Sequence, residues 1–404
     1  MTIKIHKPVI RYTNSTKLLP FILVITPFFE PQFFERIPEA DLFFSIWHAT
    51  ALSAMTAILL LRRLAGTLKK NSFSKYIALY YVSITISTIF NNGDFFAIFL
   101  RLINQTVFAS FVYFAIQSNT RTTLNSIALL FSVFCFINLV TMIAYPNGLY
   151  LSNLTHNKCY FLGHKNQVLY FTLIPFIISV YYTVRDGTRI SMRLIVDTAI
   201  MVITAILSRS STGAIVTVGC IFGLVYCSTQ KIKLPKLNTY LIVFGLWGIT
   251  IALIFFQLQY HFAFLIEALL NKSLTLSSRT KVWHLALEEI ALSPFFGVGY
   301  KTAAETASHI LLESPHNSLI SSAYYGGVIG IAMYALSILS VAKEINKCVN
   351  FRFHQFSQCI LACIVVASMV ESMDMNRQIL LIYIVIASLN SSFYGVEAFR
   401  SMGN

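Results

Sequence analysis

Long apolar runs alternate with short polar segments along most of the chain. A transmembrane helix needs about 20 mostly apolar residues, and the runs that reach or approach that length are 18–34, 41–61, 76–90, 95–117, 123–145, 167–184, 194–208, 212–228, 238–257, 317–342, 356–372 and 378–397. The first run is interrupted by Pro20, Pro27 and Glu30, and the third is short. The pattern predicts an all-α, polytopic integral membrane helical bundle of about twelve transmembrane helices, forming a single transmembrane domain over 1–404.

Composition agrees with a membrane protein. Of the 404 residues, 56% are hydrophobic and 11% are charged, whereas soluble globular proteins have about 25% charged residues. The formal net charge is +14, but in a membrane protein basic residues collect in the short inner loops, so we expect no nucleic-acid partner. The seven cysteines form no CxxC pair, and their odd number argues against a disulfide framework.

The distribution of the 30 Lys and Arg residues orients the helices. Most of them fall on the inner side if both termini are cytoplasmic, and the short loops "RRLAGTLKK" at 62–70 and "QKIKLPK" at 230–236 carry this bias most clearly. Twelve helices with both termini in the cytoplasm therefore form a consistent topology.

One long segment interrupts the regular spacing of the runs. Residues 258–316 lie between predicted helices 9 and 10 and form a large periplasmic or extracellular loop in this topology. Within it, 279–292 has apolar residues at the spacing of an amphipathic helix. Pro294 ends that helix, and Gly297 and Gly299 permit turns.

Several charged or polar residues fall on the predicted outer side, where a charge at membrane depth usually marks a pathway or a site. They are the "GHKN" stretch 163–166, Arg101, Arg209, Arg279, His316, Glu371, Asp374 and Arg377.

Each of these residues also has a purely structural interpretation. Arginines such as Arg209 and Arg279 can snorkel to lipid phosphates. Arg101 can pair with Asp94, and Glu371 with Arg377. His316 can cap the following helix, although Asn317 is the better cap. The glycines of that helix can be helix-packing positions, namely Gly326, Gly327 and Gly330.

Taken together, these residues suit transfer chemistry. Two arginines provide permanent charge for a diphosphate, and a histidine can accept the proton of a hydroxyl group. The sequence contains no DxD, HExxH, His/Cys zinc pattern, Walker loop or GxGxxG. We therefore expect a site that needs no metal, nucleotide or other cofactor.

Four motifs, in order, carry a resemblance to a known family. "GHKN", "SRSSTGA", "SSRTKVWHLALEEIALSPFFGVG" and "PHNSLISSAYYGGVIG" cover roughly 160–340, and they resemble the O-antigen ligase and O-antigen polymerase family of bacterial inner-membrane glycosyltransferases. The resemblance implies a GT-C-like architecture with its active site on the outer face of the membrane.

The family's functional positions transfer to individual residues of this chain. The resemblance implies that Arg209 and Arg279 bind the donor diphosphate, that His316 is the catalytic histidine, and that Gly327 and Gly330 are the paired glycines of its helix. His164, Lys165, Asn166, Asn317, Arg101 and Arg377 are the further candidates for substrate binding.

The reaction implied is transfer of a glycan from undecaprenyl diphosphate to an acceptor hydroxyl. A repeat-unit polymerase acts on a second lipid-linked glycan, whereas an O-antigen ligase acts on lipid A-core; the "GHKN" and His-Asn elements favour the polymerase. A chain-length regulator is a further partner that the resemblance allows.

Two rival classes are less consistent with the sequence. A lipid-linked oligosaccharide flippase would show an internal repeat between its halves, and none is evident. A membrane O-acyltransferase would need access to a donor from the inside, whereas the charged cluster is predicted to lie outside.

Overall fold

The computed structural model describes residues 18–68, 71–152, 157–187, 190–228, 237–255 and 279–401. The basic loop 230–236 and the first part of the predicted long loop, 258–278, lie outside the described residues. The helices, numbered in chain order, are α1 Leu19–Ile25, α2 Pro38–Leu64, α3 Ser72–Phe90, α4 Phe95–Ser118, α5 Thr120–Ala144, α6 Lys165–Arg185, α7 Met192–Ser208, α8 Ser211–Ser228, α9 Thr239–Phe255, α10 Arg279–Leu292, α11 Ala303–Ile310, α12 Ser318–Lys347, α13 Phe351–Ser368 and α14 Arg377–Ser401.

The all-α, polytopic membrane fold predicted from the apolar runs is confirmed. In the described part of the chain, eight helices are long and apolar enough to cross a bilayer, namely α2, α3, α4, α5, α6, α8, α12 and α13. Of the remaining predicted runs, 194–208 and 238–257 correspond to the shorter helices α7 and α9, 378–397 to α14, and 18–34 to α1 followed by the 3-10 turns Thr26–Phe29 and Phe34–Arg36. The number twelve stays a prediction.

The described residues group into two compact units. Unit 1 contains the chain up to Leu60 and Phe114–Thr217, and unit 2 contains Leu61–Tyr113 and Val218–Asn404. The single domain over 1–404 stays a prediction.

In unit 1, α6 is the most buried of the long helices, and α5 and α7 pack against it. Asp197 on α7 is 3% exposed and accepts hydrogen bonds from the hydroxyl groups of Ser132 and Ser179. A buried carboxylate in an apolar helix needs such partners. In contrast, α2 exposes large apolar side chains such as Leu42 and Phe43, as a lipid-facing helix does.

A small antiparallel sheet leads into α6, in a segment that the sequence predicts as loop. Its strands are β1 Tyr150–Leu151, β2 Lys158–Tyr160 and β3 Gly163–His164, in the order β1-β2-β3. The backbone N–H of Leu162, in the turn between β2 and β3, donates to Asn138 Oδ1 on α5 at 2.9 Å. This bond ties the hairpin to the helical core of unit 1.

In unit 2, the long helix α12 is central and packs against α3, α9, α10, α13 and α14. Its contact with α3 is close at Gly326, where an added Cβ would lie 3.2 Å from Ser83 Oγ, whereas an added Cβ at Gly330 would lie 2.7 Å from the carbonyl oxygen of Ser322 in α12 itself. Small residues at such positions let helices approach closely.

Gly327 breaks α12, and the packing role predicted for it stays a prediction. Its dihedral angles are φ 61° and ψ −156°, a region that only glycine adopts readily. In an unbroken helix the N–H of Val328 would bond to the carbonyl of Tyr324. Here Val328 N–H donates to Pro294 O at 2.9 Å, and Val298 N–H donates to Tyr324 O at 2.6 Å.

The loop 293–300 after α10 therefore inserts into the break in α12. It also bonds to α3, since Tyr300 N–H donates to Thr88 Oγ1 at 2.8 Å and Asn91 Nδ2 donates to Gly297 O at 3.1 Å. Gly297 and Gly299 have positive φ, in agreement with the turns predicted there. These bonds fix α10 relative to α12 within unit 2.

Candidate active site

His316 lies immediately before α12 in a left-handed backbone conformation, with φ 49°. For a non-glycine residue this costs roughly 1–2 kcal/mol, and such strain concentrates at functional sites. The next residue, Asn317, is the N-cap of α12. Its Oδ1 accepts from the N–H groups of Leu319 and Ile320 at 3.0 and 3.1 Å, and its Nδ2 donates to Met369 O at 2.9 Å. Asn317 is buried and caps α12 through these bonds, and its predicted contact with substrate stays a prediction.

Glu371, in the loop between α13 and α14, contacts two of the candidate residues. Arg279 Nη2 lies 3.0 Å from Glu371 Oε1, and His316 Nδ1 lies 3.4 Å from Glu371 Oε2. The side chains of Arg279 and Glu371 are each 15% exposed, and that of His316 is 29% exposed. Arg279 is also the first residue of α10, where a cation opposes the helix dipole, so a nearby carboxylate is favourable.

The backbone around Glu371 is bonded to the beginning of α12. Ser318 Oγ donates to Glu371 O at 3.1 Å and accepts from Met373 N–H at 2.8 Å. Together with the Asn317–Met369 bond, these contacts hold the loop 369–376 against the helix end that follows His316.

The same loop carries a second polar cluster in unit 2. Asp374 Oδ2 accepts a hydrogen bond of 2.6 Å from Tyr80 on α3, and burial raises the pKa of Asp374. The guanidinium of Arg101 lies 4.9 Å from the ring centroid of Tyr300, and its Nη1 is 3.2 Å from Met375 Sδ.

These contacts differ from the pairings considered on sequence grounds. Asp94 accepts from the N–H of Ala97 at the start of α4, and Arg101 contacts Tyr300 and Met375. Glu371 forms an ion pair with Arg279, and Arg377 is the first residue of α14. Substrate binding by Arg101 and Arg377 stays a prediction.

The "GHKN" stretch lies in unit 1 at the junction of β3 and α6. His164 is the N-cap of α6, with its Nδ1 3.4 Å from the N–H of Asn166. Lys165 is the first residue of the helix. All three side chains are partly exposed, so a substrate can reach them, and their predicted role in binding stays a prediction.

Arg209 ends α7 and, like His316, has a left-handed backbone, with φ 49° and ψ 34°. Glycine usually occupies this position after a helix. The residue is exposed. Burial raises the pKa of Tyr160 on β2, and the positive charge of Arg209 opposes that rise, so Arg209 lies near the hairpin that carries His164.

The predicted site residues thus fall into two sets. Unit 2 brings His316 and Arg279 together at Glu371, and its second cluster contains Arg101. Unit 1 places Arg209 near the hairpin of the "GHKN" stretch. Convergence of the two sets on one site stays a prediction.

The sequence identifies Glu371 as a charge without indicating its partners. The signal in the sequence is two carboxylates, Glu371 and Asp374, in an apolar C-terminal region, and nothing in it indicates a contact with Arg279, which lies 92 positions away. The metal-free reaction is likewise a prediction; within the described ranges, no three His, Cys, Asp or Glu side chains lie close enough to hold a metal ion.

Comparison with known proteins supports part of the resemblance. No curated protein matches the chain. A family match covers 198–335, which includes Arg209, Arg279, His316 and the glycines of α12, whereas Arg101, the "GHKN" stretch, Glu371 and Arg377 lie outside it. Over residues 198–335, about a third of its length, the chain is similar to the family described as O-antigen ligase, which confirms the resemblance drawn from its motifs.

Proposed function

We propose that the chain is a membrane glycosyltransferase that polymerises undecaprenyl-diphosphate-linked oligosaccharide repeat units for a surface polysaccharide (O-antigen, capsule or exopolysaccharide). One observation carries the proposal. A histidine and an arginine from the matched segment, His316 and Arg279, contact the same carboxylate, Glu371.

His316 supplies the base in this proposal. The acceptor sugar hydroxyl attacks the anomeric carbon of the donor glycan, forming the new glycosidic C–O bond. The bond between that carbon and the diphosphate oxygen breaks, and His316 takes the hydroxyl proton. The side chain of His316 is partly exposed although its Nδ1 is buried. A substrate therefore contacts the other, exposed atoms of the imidazole ring.

The arginines stabilise the leaving group. Undecaprenyl diphosphate leaves as an anion, and guanidinium groups stabilise developing charge on phosphate oxygens. Arg279 has further N–H donors besides the one that faces Glu371. Arg209 is exposed and can contact a ligand directly. Because the donor is already an activated phosphate ester, the reaction needs no nucleotide and no metal.

The protein lies in the bacterial cytoplasmic membrane with both termini inside and the site on the outer face. The positive-inside pattern of the short loops supports this orientation. Cytoplasmic nucleotide sugars do not reach such a site, whereas lipid-linked glycans do once they have crossed the membrane.

The description of the matched family favours a second candidate, an O-antigen ligase that transfers the lipid-linked glycan to lipid A-core. Both activities use the same donor and the same leaving group. They differ in the acceptor, and an experiment that varies only the acceptor therefore separates them.

The decisive experiment supplies purified protein with a lipid-diphosphate-linked repeat unit as sole substrate, in buffer without added metal. A ladder of longer lipid-linked glycans is the expected product. Transfer that begins only after lipid A-core is added would mean a ligase, and no transfer to either acceptor would favour the flippase. Substitution of the exposed surface histidine, His284→Ala (72% side-chain exposure), is the matched control for His316→Ala.

A further inference from the structure

We infer that Glu371 is a positioning residue that holds His316 and Arg279 in one fixed arrangement for glycan transfer. The inference rests on the proposed function for the reaction it serves. Glu371 lies outside 198–335, so the part of the chain that matches the family does not contain it.

The two carboxylate oxygens serve different partners. Oε1 faces Arg279 Nη2 at 3.0 Å, and Oε2 faces His316 Nδ1 at 3.4 Å. Because each partner has its own oxygen, Glu371 contacts both at once, and the loss of its carboxylate removes both contacts.

Glu371 is itself held in place by the helix that it serves. The Ser318 hydroxyl bridges the carbonyl of Glu371 and the N–H of Met373, and Asn317 bonds to Met369. Ser318 and Asn317 directly follow His316. These bonds fix the backbone of Glu371 relative to the histidine, and the ion pair with Arg279 holds its carboxylate, as a positioning residue requires.

A carboxylate facing Nδ1 determines which ring nitrogen of His316 is available as a base. With the proton on Nδ1 and directed at Glu371, Nε2 keeps its lone pair and can accept the acceptor's proton. At 3.4 Å the contact does not form a hydrogen bond in this structure, and Nδ1 is buried without a hydrogen-bond partner among the described residues. The positioning role requires that the contact shortens when substrate is bound, as catalytic hydrogen bonds often do.

Glu371 also holds Arg279 at the start of α10. Removal of one member of a poorly solvated ion pair leaves the other charge without a partner. The resulting loss of folding stability is larger than the stability that the intact pair contributes. Both side chains are mostly buried, so we expect their loss to affect stability as well as transfer.

The first test measures thermal stability in detergent and needs no activity. Arg279→Ala and Glu371→Gln should each lower Tm, and the double variant should lower it no further than the worse single one. The charge exchange Arg279→Glu with Glu371→Arg should recover part of the loss. Additive effects without recovery would overturn the contact.

The second test measures transfer rates. Glu371→Gln keeps the shape of the side chain and should lower kcat about 10–100-fold, as the loss of an orienting partner of a histidine does. In the His316→Ala background the same substitution should cost clearly less than in the wild type, because the part of the loss that acts through His316 is gone and only the part that acts through Arg279 is left. Glu371→Asp should recover part of the rate.

The control is Glu288→Gln. Glu288 pairs with His284 at 3.2 Å on the surface of α10, and both side chains are more than half exposed, so neither Tm nor transfer should change. An equal loss from Glu371→Gln with and without His316 would overturn the positioning of His316, and a full rate in Glu371→Gln would overturn the positioning role altogether. A wild-type protein that transfers glycan to neither acceptor would defeat the proposed function, while the Tm series would still report on Glu371.

Discussion

His316 in unit 2 and Arg209 in unit 1 have the same unusual backbone and very different surroundings. Both are non-glycine residues with φ 49°, and both lie at a helix end. His316 is mostly buried and faces the carboxylate of Glu371, whose backbone is bonded to the helix that follows His316, whereas Arg209 is exposed after the last turn of α7.

The two residues illustrate two ways in which a protein can position a candidate site residue. In unit 2, a carboxylate whose backbone is bonded to the following helix lies beside the side chain before substrate arrives. In unit 1, the backbone is fixed and the charge stays available to a ligand. A base that must reach one proton benefits from the first arrangement, and a cation that binds a mobile diphosphate is compatible with the second.

Removal of either arginine should have the largest effect on transfer. We expect Arg209→Ala and Arg279→Ala each to lower the rate of glycan transfer about 10³–10⁵-fold, as the loss of a charge-stabilising arginine does in phosphoryl transfer. Their stabilities should differ, however: Arg279→Ala lowers Tm because it leaves Glu371 uncompensated, and Arg209→Ala leaves Tm unchanged. Gel analysis of lipid-linked products and Tm in detergent give the two values.

The lysine variants and a surface control sharpen this prediction. Arg209→Lys and Arg279→Lys should also fail to restore transfer if the diphosphate is held by two parallel N–H bonds, which lysine cannot form. Arg185→Ala removes an exposed arginine paired with Asp186 and should leave transfer unchanged. Normal polymer from either alanine variant would remove that arginine from the site.

His316→Ala should have the next largest effect. Loss of a general base lowers kcat about 10²–10⁴-fold, and transfer measured with a single acceptor tests this directly. His284→Ala, on the exposed face of α10, should leave the rate unchanged. A loss below about tenfold would mean that His316 only orients the end of α12, and the contrast with Arg209 would then be one of packing alone.

Much of the fold could be predicted from sequence because its signals are local. A membrane helix is a continuous apolar run, and the runs give nearly all of the described helices. The spacing of apolar residues at 282, 283, 286, 287 and 290 indicates α10, and Pro294 with Gly297 and Gly299 indicates the loop after it.

The features that sequence did not predict depend on distant contacts. The break at Gly327 forms because the loop around Phe295 inserts there, and a helix-forming sequence gives no sign of that insertion. The partnership of Arg279 with Glu371 joins residues 92 positions apart. The strands β1 to β3 are two or three residues long, too short to give an alternating pattern.

The break at Gly327 gives the smallest of these predictions and tests whether the rigidity of unit 2 matters. An alanine Cβ at Gly327 would lie 2.6 Å from Phe296 N and would overlap the carbonyl of Phe295, so strain and overlap together should cost about 2–4 kcal/mol of stability. Gly66 is the matched control, because it has φ 67° with no atom within 4 Å of an added Cβ. Gly66→Ala should therefore cost about 1 kcal/mol of stability from backbone strain alone.

Thermal unfolding in detergent measures both costs. Folded Gly327→Ala protein, isolated for assay, should also transfer glycan more slowly, because α10 and α12 are no longer held together. Equal losses of stability at the two glycines would mean that the loop 293–300 moves to accommodate the added Cβ. The fixed arrangement of Arg279 and His316 would then have to come from Glu371 alone.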